Sequence, residues 1–274
     1  MKASCQRRRG RQIFGSATPA TTTCRSCREK GLTLLELLAV LAILGLLVSM
    51  TLPAAHRTKV QTKIRQARLE MAHIASTVAD YETTYGRFPI SFEAGRTADS
   101  FHEDLTFGGV LIETHTWVAG PGYFTNNSEL MGPLLDLEYY GDGAPTINRG
   151  HVRNPQRIKF LETRTVGGTN AAPGVGIDGQ YRDPWGSPYV ITLDLNHDGR
   201  ARDAMYSKPA VSEDPADPRH GLFGLSRGAD GQGAPVFEAL ARVIVWSAGP
   251  DRHLSTTQKA NSGVNRDNVL SWSQ

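Results

Sequence analysis

The chain has 274 residues, 21% of them charged, with 30 Lys and Arg against 27 Asp and Glu, a formal charge of +3. Eight of the basic side chains (Lys2, Arg7, Arg8, Arg9, Arg11, Arg25, Arg28 and Lys30) lie in residues 1–31 against Glu29 alone, so this segment carries +7 and the remainder −4. A net negative body argues against a nucleic-acid-binding domain, and the confinement of all three cysteines, Cys5, Cys24 and Cys27, to the same segment leaves the body without a disulfide framework. Cys24-x-x-Cys27 lacks the further ligands of a zinc site and the βαβ context of a redox motif.

Residues 32–52 form an apolar run whose one charge is Glu36. The length suits a helix crossing a bilayer, which takes about 20 residues. The basic residues before it place residues 1–31 in the cytoplasm and send the body across the membrane. An acid inside such a run costs roughly 2.5–3.5 kcal/mol on insertion scales, so it is expected to have a partner and a purpose. A secretory signal fits less well, because the run is long and Pro53-Ala54-Ala55 makes a poor cleavage site.

The helical pattern continues beyond the run. Val60, Ile64, Ala67, Met71, Ile74, Val78, Tyr81 and Tyr85 recur at alternating spacings of four and three, one apolar stripe that predicts packing on a globular domain. Pro53 interrupts the helix and predicts a kink or local melting there. Gly86-Arg87-Phe88-Pro89 ends it. Residues 90–180 are rich in Gly, Asn, Thr and Pro, with short apolar runs at 109–112 and 131–137. Asn126-Asn127-Ser128 fits a glycosylation pattern short enough to arise by chance. Residues 189–193 and 242–246 read as strands, and 269–272 as an edge strand, which together predict a small antiparallel sheet covered by the helix stripe.

Three groups of residues carry a resemblance. Gly31-Leu32-Thr33-Leu34-Leu35-Glu36, between a basic leader and an apolar run, resembles the cleavage signal of type IV pilins and pseudopilins. The resemblance implies that a prepilin peptidase cuts after Gly31 and that the new N-terminus at Leu32 is methylated. It also implies that Glu36, fifth after the cut, orders subunits in a filament by meeting a neighbour's amine. Leu32 stands where the family usually has phenylalanine. A proline at the place of Pro53 is common in the family.

The second group is Tyr85-Gly86-Arg87-Phe88-Pro89 together with Asp183-Pro184-Trp185-Gly186-Ser187-Pro188-Tyr189. Both are similar to segments of the major pseudopilin of type II secretion. From the residues alone, the prolines and Gly186 make a tight turn and Trp185 an apolar plug at the helix–sheet junction. The third group, Ser247-Ala248-Gly249-Pro250-Asp251 followed by Asn265-Arg266-Asp267-Asn268 and Trp272, is similar to that protein's calcium loop. The resemblance implies a structural calcium ion with Asp251, Asn265, Asp267 and Asn268 as oxygen donors. This loop is poorer in acids and glycines than is usual in the family.

Asp194-Leu195-Asn196-His197-Asp198-Gly199 opens like an EF-hand loop, but Met205 holds the twelfth position and a polar β-turn is the expected structure. There is no HExxH and no phosphate-binding GxxxxGK[ST], and no catalytic cofactor or enzyme activity is expected.

The expected fold is α+β and pilin-like: a long N-terminal helix, its apolar half transmembrane and its distal half amphipathic, packed on a small antiparallel sheet. The expected organisation is a leader at 1–31, a membrane and filament-core helix at 32–52, its amphipathic continuation at 53–89, a variable insertion at 90–180 and a β-rich region at 181–274. What the resemblance implies is a helical homo-oligomer, a pseudopilus subunit for protein export. Its partners would be the peptidase, an inner-membrane assembly platform and minor pseudopilins, with no nucleic acid. Before assembly it would span the bacterial inner membrane once, with its C-terminal domain periplasmic. A type IV pilin for adhesion or DNA uptake and a membrane-anchored periplasmic binding protein are the alternatives.

Overall fold

The computed structural model describes residues 33–101, 103–108, 111–112, 116–117, 126–167, 172–217 and 219–273; over 47–56, 101, 111–112 and 116–117 it describes the backbone alone. The chain divides into two compact units, Met1–Leu52 and Pro53–Gln274. Helix α1, Leu34–Tyr85, contributes to both. The backbone at Pro53 is helical, and its side chain lies outside the described residues.

Within the second unit the helix stripe is buried as its spacing predicts. Ala67, Met71, Ile74, Val78 and Tyr81 are fully buried, while Ile64 and Tyr85 pack at the margin. Residues three and four apart share one face of a helix, so this stripe presents a continuous apolar ridge. The helix stops at Tyr85 because Gly86 takes a left-handed conformation (φ +65°), and its N–H donates to Glu82 O at 2.7 Å.

The chain then forms α2 (Phe92–Phe101), β1 (Leu105–Phe107), β2 (Leu111–Ile112), β3 (Thr116–Trp117), α3 (Ser128–Leu134), β4 (Gly174–Val175) and β5 (Tyr181–Arg182). It continues through β6 (Val190–Leu193), α4 (Pro209–Ser212), β7 (Ser226–Ala229), β8 (Pro235–Glu238), β9 (Val243–Ser247) and β10 (Val269–Leu270). The fold is α+β. Its main sheet has the order β1-β6-β9-β10, with antiparallel pairing throughout. β10 is an edge strand, as expected for the segment after Asn268. β2–β3, β4–β5 and β7–β8 form separate two-stranded ribbons.

Alternation along the strands sorts their side chains into two cores. Ile191, Leu193 and Val245 join the α1 stripe on one face, whereas Val190, Ile244, Trp246 and Leu270 join Met205, Tyr206, Leu225 and Phe237 on the other. The sheet is therefore covered on both faces. The helix supplies one cover, and residues after β6 supply a second that the sequence reading did not anticipate.

Residues 90–180 are built into the same unit. They provide the edge strand β1, and Leu130, Met131, Leu134, Leu161 and Val175 enter the core beneath α1. The apolar run at 131–137 falls mostly in α3.

Candidate functional site

In the first unit, Gly31 and Leu32 lie outside the described residues. The described helix opens with a reciprocal cap. Thr33 N–H donates to Glu36 Oε2 at 2.9 Å, Thr33 Oγ1 lies 3.1 Å from the same oxygen, and Glu36 N–H donates to Thr33 Oγ1 at 3.2 Å. This is a capping box, Thr-x-x-Glu, in which each residue satisfies a backbone donor that the first helical turn leaves free. The Thr33-x-x-Glu36 signature is visible in the sequence, beside the charge of Glu36.

Beyond the cap the helix is apolar all round. Leu34 is 82% exposed and Leu35 77%, and Leu37, Leu38, Val40, Leu41, Ile43 and Leu44 are exposed as well. A helix apolar on every face is suited to lipid or to a packed assembly. Among the described residues, no helix is long and apolar enough to cross a membrane.

In the second unit, the turn at 183–189 is held by one carboxylate. Asp183 Oδ1 accepts from Trp185 N–H at 2.8 Å and from Ser187 N–H at 2.9 Å, and Asp183 Oδ2 accepts from Ser247 Oγ at 2.5 Å. Gly186, at φ +92°, closes the turn with an N–H bond to Asp183 O at 2.9 Å. Burial pushes the Asp183 carboxyl up to about 6. Pro188 pairs backbone with Arg182. Trp185 packs at the margin of the core under α1, with Lys63 Nζ 6.0 Å from its ring centre.

Tyr189 is fully buried, and its hydroxyl donates to Glu70 Oε2 on α1 at 2.5 Å. Its pKa is raised, first by burial and then by the charge of Glu70. Beside it stands a residue that the sequence reading gave no structural role. Asn127 is fully buried; its Nδ2 donates to Tyr181 O at 2.9 Å and Tyr189 O at 2.8 Å, while Oδ1 accepts from Tyr181 N–H at 3.0 Å. This amide clamps β5 against the turn's end. Only its long-range partners reveal it.

The C-terminal loop brings Asp251 and Asp267 together: Asp251 N–H donates to Asp267 Oδ2 at 3.0 Å. Burial raises the Asp267 pKa, and the charge of Asp251 adds to this. Asn268 lies alongside, with Nδ2 donating to Tyr206 Oη at 2.9 Å and a buried Oδ1 that has no partner among the described residues. Asn265 is occupied differently. Its Oδ1 accepts from Ser255 N–H at 2.8 Å and its Nδ2 donates to Ser255 O and Gln258 O, so its amide folds the loop. Gly249, at φ +70°, is required here because a Cβ would stand 2.2 Å from Asp267 O. No group of three or more His, Cys, Asp or Glu able to hold a metal occurs among the described residues.

Two other motifs resolve as architecture. Asp194 accepts from Asp198 N–H and Gly199 N–H, making a polar turn after β6. Gly224-Leu225-Ser226-Arg227-Gly228 has the G-x-S-x-G spacing of hydrolase nucleophiles, a pattern wrongly read as absent from the sequence. Ser226 opens β7 and its Oγ donates to Glu238 O at 3.1 Å, whereas a nucleophile elbow needs a strand–turn–helix.

Residues 26–52 match the prokaryotic N-terminal methylation motif, the prepilin signal of type IV pilins and pseudopilins. The matched segment begins in the basic N-terminal stretch and includes Gly31, Leu32, the Thr33–Glu36 cap and the apolar run. The motif supports the reading of the chain as a type IV pilin-like or pseudopilin precursor, a class processed by prepilin peptidase and assembled into pilus-like filaments. Neither a curated protein nor a solved structure matches the chain.

Proposed function

We propose that the protein is a structural subunit of a type II secretion pseudopilus, with no catalytic role. The observation that carries this reading is the methylation motif at 26–52, set on a helix whose apolar side chains are exposed on every face. Such a helix is stable in a bilayer before assembly and among neighbouring helices afterwards. On this reading residues 1–31 remain cytoplasmic until they are removed and the body is periplasmic. Glu36 neutralises the methylated amine of a neighbouring Leu32. That pairing sets register more than it adds stability, because desolvation offsets most of the attraction.

The choice of pseudopilus over adhesive or DNA-uptake pilus rests on the Tyr85–Pro89 helix end and on the Asp183 turn joined to Ser247. A calcium ion in the C-terminal loop belongs to the same reading. Asp251, Asp267 and the unpartnered Asn268 Oδ1 would supply donors, with backbone carbonyls and water completing the six to eight oxygens needed. Asn265 would act by holding the loop.

N-terminal mass spectrometry of the protein from its native membrane tests the proposal. A chain starting at N-methylated Leu32 supports peptidase processing. A chain starting at Met1, with the peptidase active on other substrates, overturns the filament reading in favour of a single-pass anchor. Long surface filaments would point to the pilus alternative.

A further inference from the structure

A pocket of about 280 Å³ lies beside the end of α1 and the start of α2, wholly within the second unit. Phe88 and Phe92 are among its apolar lining, the former buried and the latter 74% exposed. Arg87, Arg96, Arg153 and His197 also line it. Arg87 Nη2 is committed to Val152 O and Arg153 O, each at 3.2 Å.

Arg153 is held by its backbone. Its carbonyl also accepts from Tyr81 Oη at 2.6 Å, and its N–H donates to Asn148 Oδ1 at 3.2 Å. The side chain is thereby started from a fixed point. Among the described residues, the guanidinium groups of Arg96 and Arg153 meet no hydrogen-bond acceptor. Half-burial and the charge of Arg87 push the Arg153 pKa down.

His197 adds a neutral donor. Arg242 Nη2 donates to His197 Nδ1 at 2.8 Å, which leaves the proton on Nε2. The ring stacks on Phe88 with centroids 5.9 Å apart. The opposing carboxylates are Asp99, in the lining, and Glu129, which acts on Arg153 while accepting from Ser91 N–H at 2.7 Å. Among these groups the guanidiniums of Arg87, Arg96 and Arg153 outnumber the two carboxylates by one, which suits a monoanion rather than a phosphate dianion; Arg242, behind His197, is itself paired with Glu82 and Asp194.

We propose that this pocket binds a carboxylate borne on an apolar body. Arg96, Arg153 and His197 Nε2–H meet the oxygens, and Phe88 and Phe92 pack on the body. Guanidinium–carboxylate bonds are charge-assisted and directional. The volume falls near the lower end for ligand pockets and fits one aromatic or branched side chain with its carboxylate. A free small acid and the chain end of a peptide share this chemistry.

The test is calorimetric titration of the detergent-solubilised full chain with phenylacetate, and separately with acetyl-Ala-Ala-Phe. Each is compared with its own amide. Both acids are expected to bind at least about tenfold more tightly than their amides. Arg96→Gln and Arg153→Gln are each expected to weaken acid binding by about tenfold and to weaken the amides, which carry no charge, by distinctly less. Tighter binding of phenylacetate assigns a small acid; tighter binding of the peptide assigns a chain end. Equal affinity for acid and amide, or acid binding unchanged in Arg96→Gln, overturns the proposal. Arg96 is exposed, so that variant decides the matter even if Arg153→Gln fails to fold.

Discussion

Asp183 Oδ2 accepts a hydrogen bond from Ser247 Oγ across 64 residues of sequence. The bond ties the turn at 183–189 to the end of β9. Ser247 Oγ in turn accepts from Gly249 N–H at 3.0 Å, which starts the chain into the C-terminal loop. Two segments that resemble one family separately are thus one junction in space. A buried carboxylate with satisfied acceptors orders both, since leaving either side unpaired would cost more than the bond contributes.

The pH dependence of stability follows from this carboxylate. Its folded pKa of about 6 lies above the ordinary 3.8, so the folded state holds a proton more tightly than the unfolded state. The resulting stabilisation is complete below about pH 4 and is lost as pH rises through about 6. A shift of this size corresponds to about 3 kcal/mol. Asp104, also raised by burial to about 6, acts in the same direction. Asp183→Asn keeps the shape and the turn acceptor, and is expected to flatten the slope of unfolding free energy between pH 4 and 6 relative to wild type. Denaturant titrations across that range check it.

Asn127→Ala removes three hydrogen bonds at once and leaves Tyr181 N–H buried without an acceptor. A loss of about 3 kcal/mol is expected. The check is a lower urea midpoint with unchanged denaturant slope; a change under about 0.5 kcal/mol would remove the clamp from this account.

Tyr189→Phe deletes only the hydroxyl that reaches Glu70. Glu70 is half-buried and can turn to water, so the expected loss is about 1 kcal/mol. Thermal unfolding of the variant, compared with that of Glu70→Gln and the double variant, measures the coupling directly.

Glu36→Gln separates two roles of one residue. Glutamine also closes a capping box, so the first turn of α1 is expected to keep its amide protection. The charge is gone, and on the filament reading assembly fails. Glu36→Ala is expected to lose both. Hydrogen exchange of the first turn and electron microscopy of assembled material report the two outcomes independently; filaments of normal abundance from Glu36→Gln would remove the charge pairing from the model.

Where structure is built from neighbours in sequence, it was legible. The stripe from Ala67 to Tyr81, the stop at Gly86, and the strands now seen as β6, β9 and β10 all follow from spacing, turn residues and β-branched runs. Even the Thr33–Glu36 cap was readable, because its partners lie three residues apart. Residues 90–180 were not, because their elements are short and their signals weak. Leu105–Phe107 is a strand mainly because β6 offers it a ladder. Asp203 shows the same limit. No local pattern marks it, and it is buried with its Oδ2 accepting from Trp246 Nε1 at 2.9 Å and Thr192 Oγ1 at 2.7 Å.

The sequence by itself determined the basic N-terminal segment, the methylation motif at 26–52, the apolar run and which faces of helix and strand are apolar. It did so because charge, length and period are local properties of the chain. Only the tertiary structure decided which groups meet: Asp183 with Ser247, Tyr189 with Glu70, Asn127 with the backbone of Tyr181 and Tyr189, and a second cover for the sheet. A periodic pattern states that a face must be buried, and a polar residue states that it needs a partner. Neither names the partner, because that depends on contacts dozens of residues away.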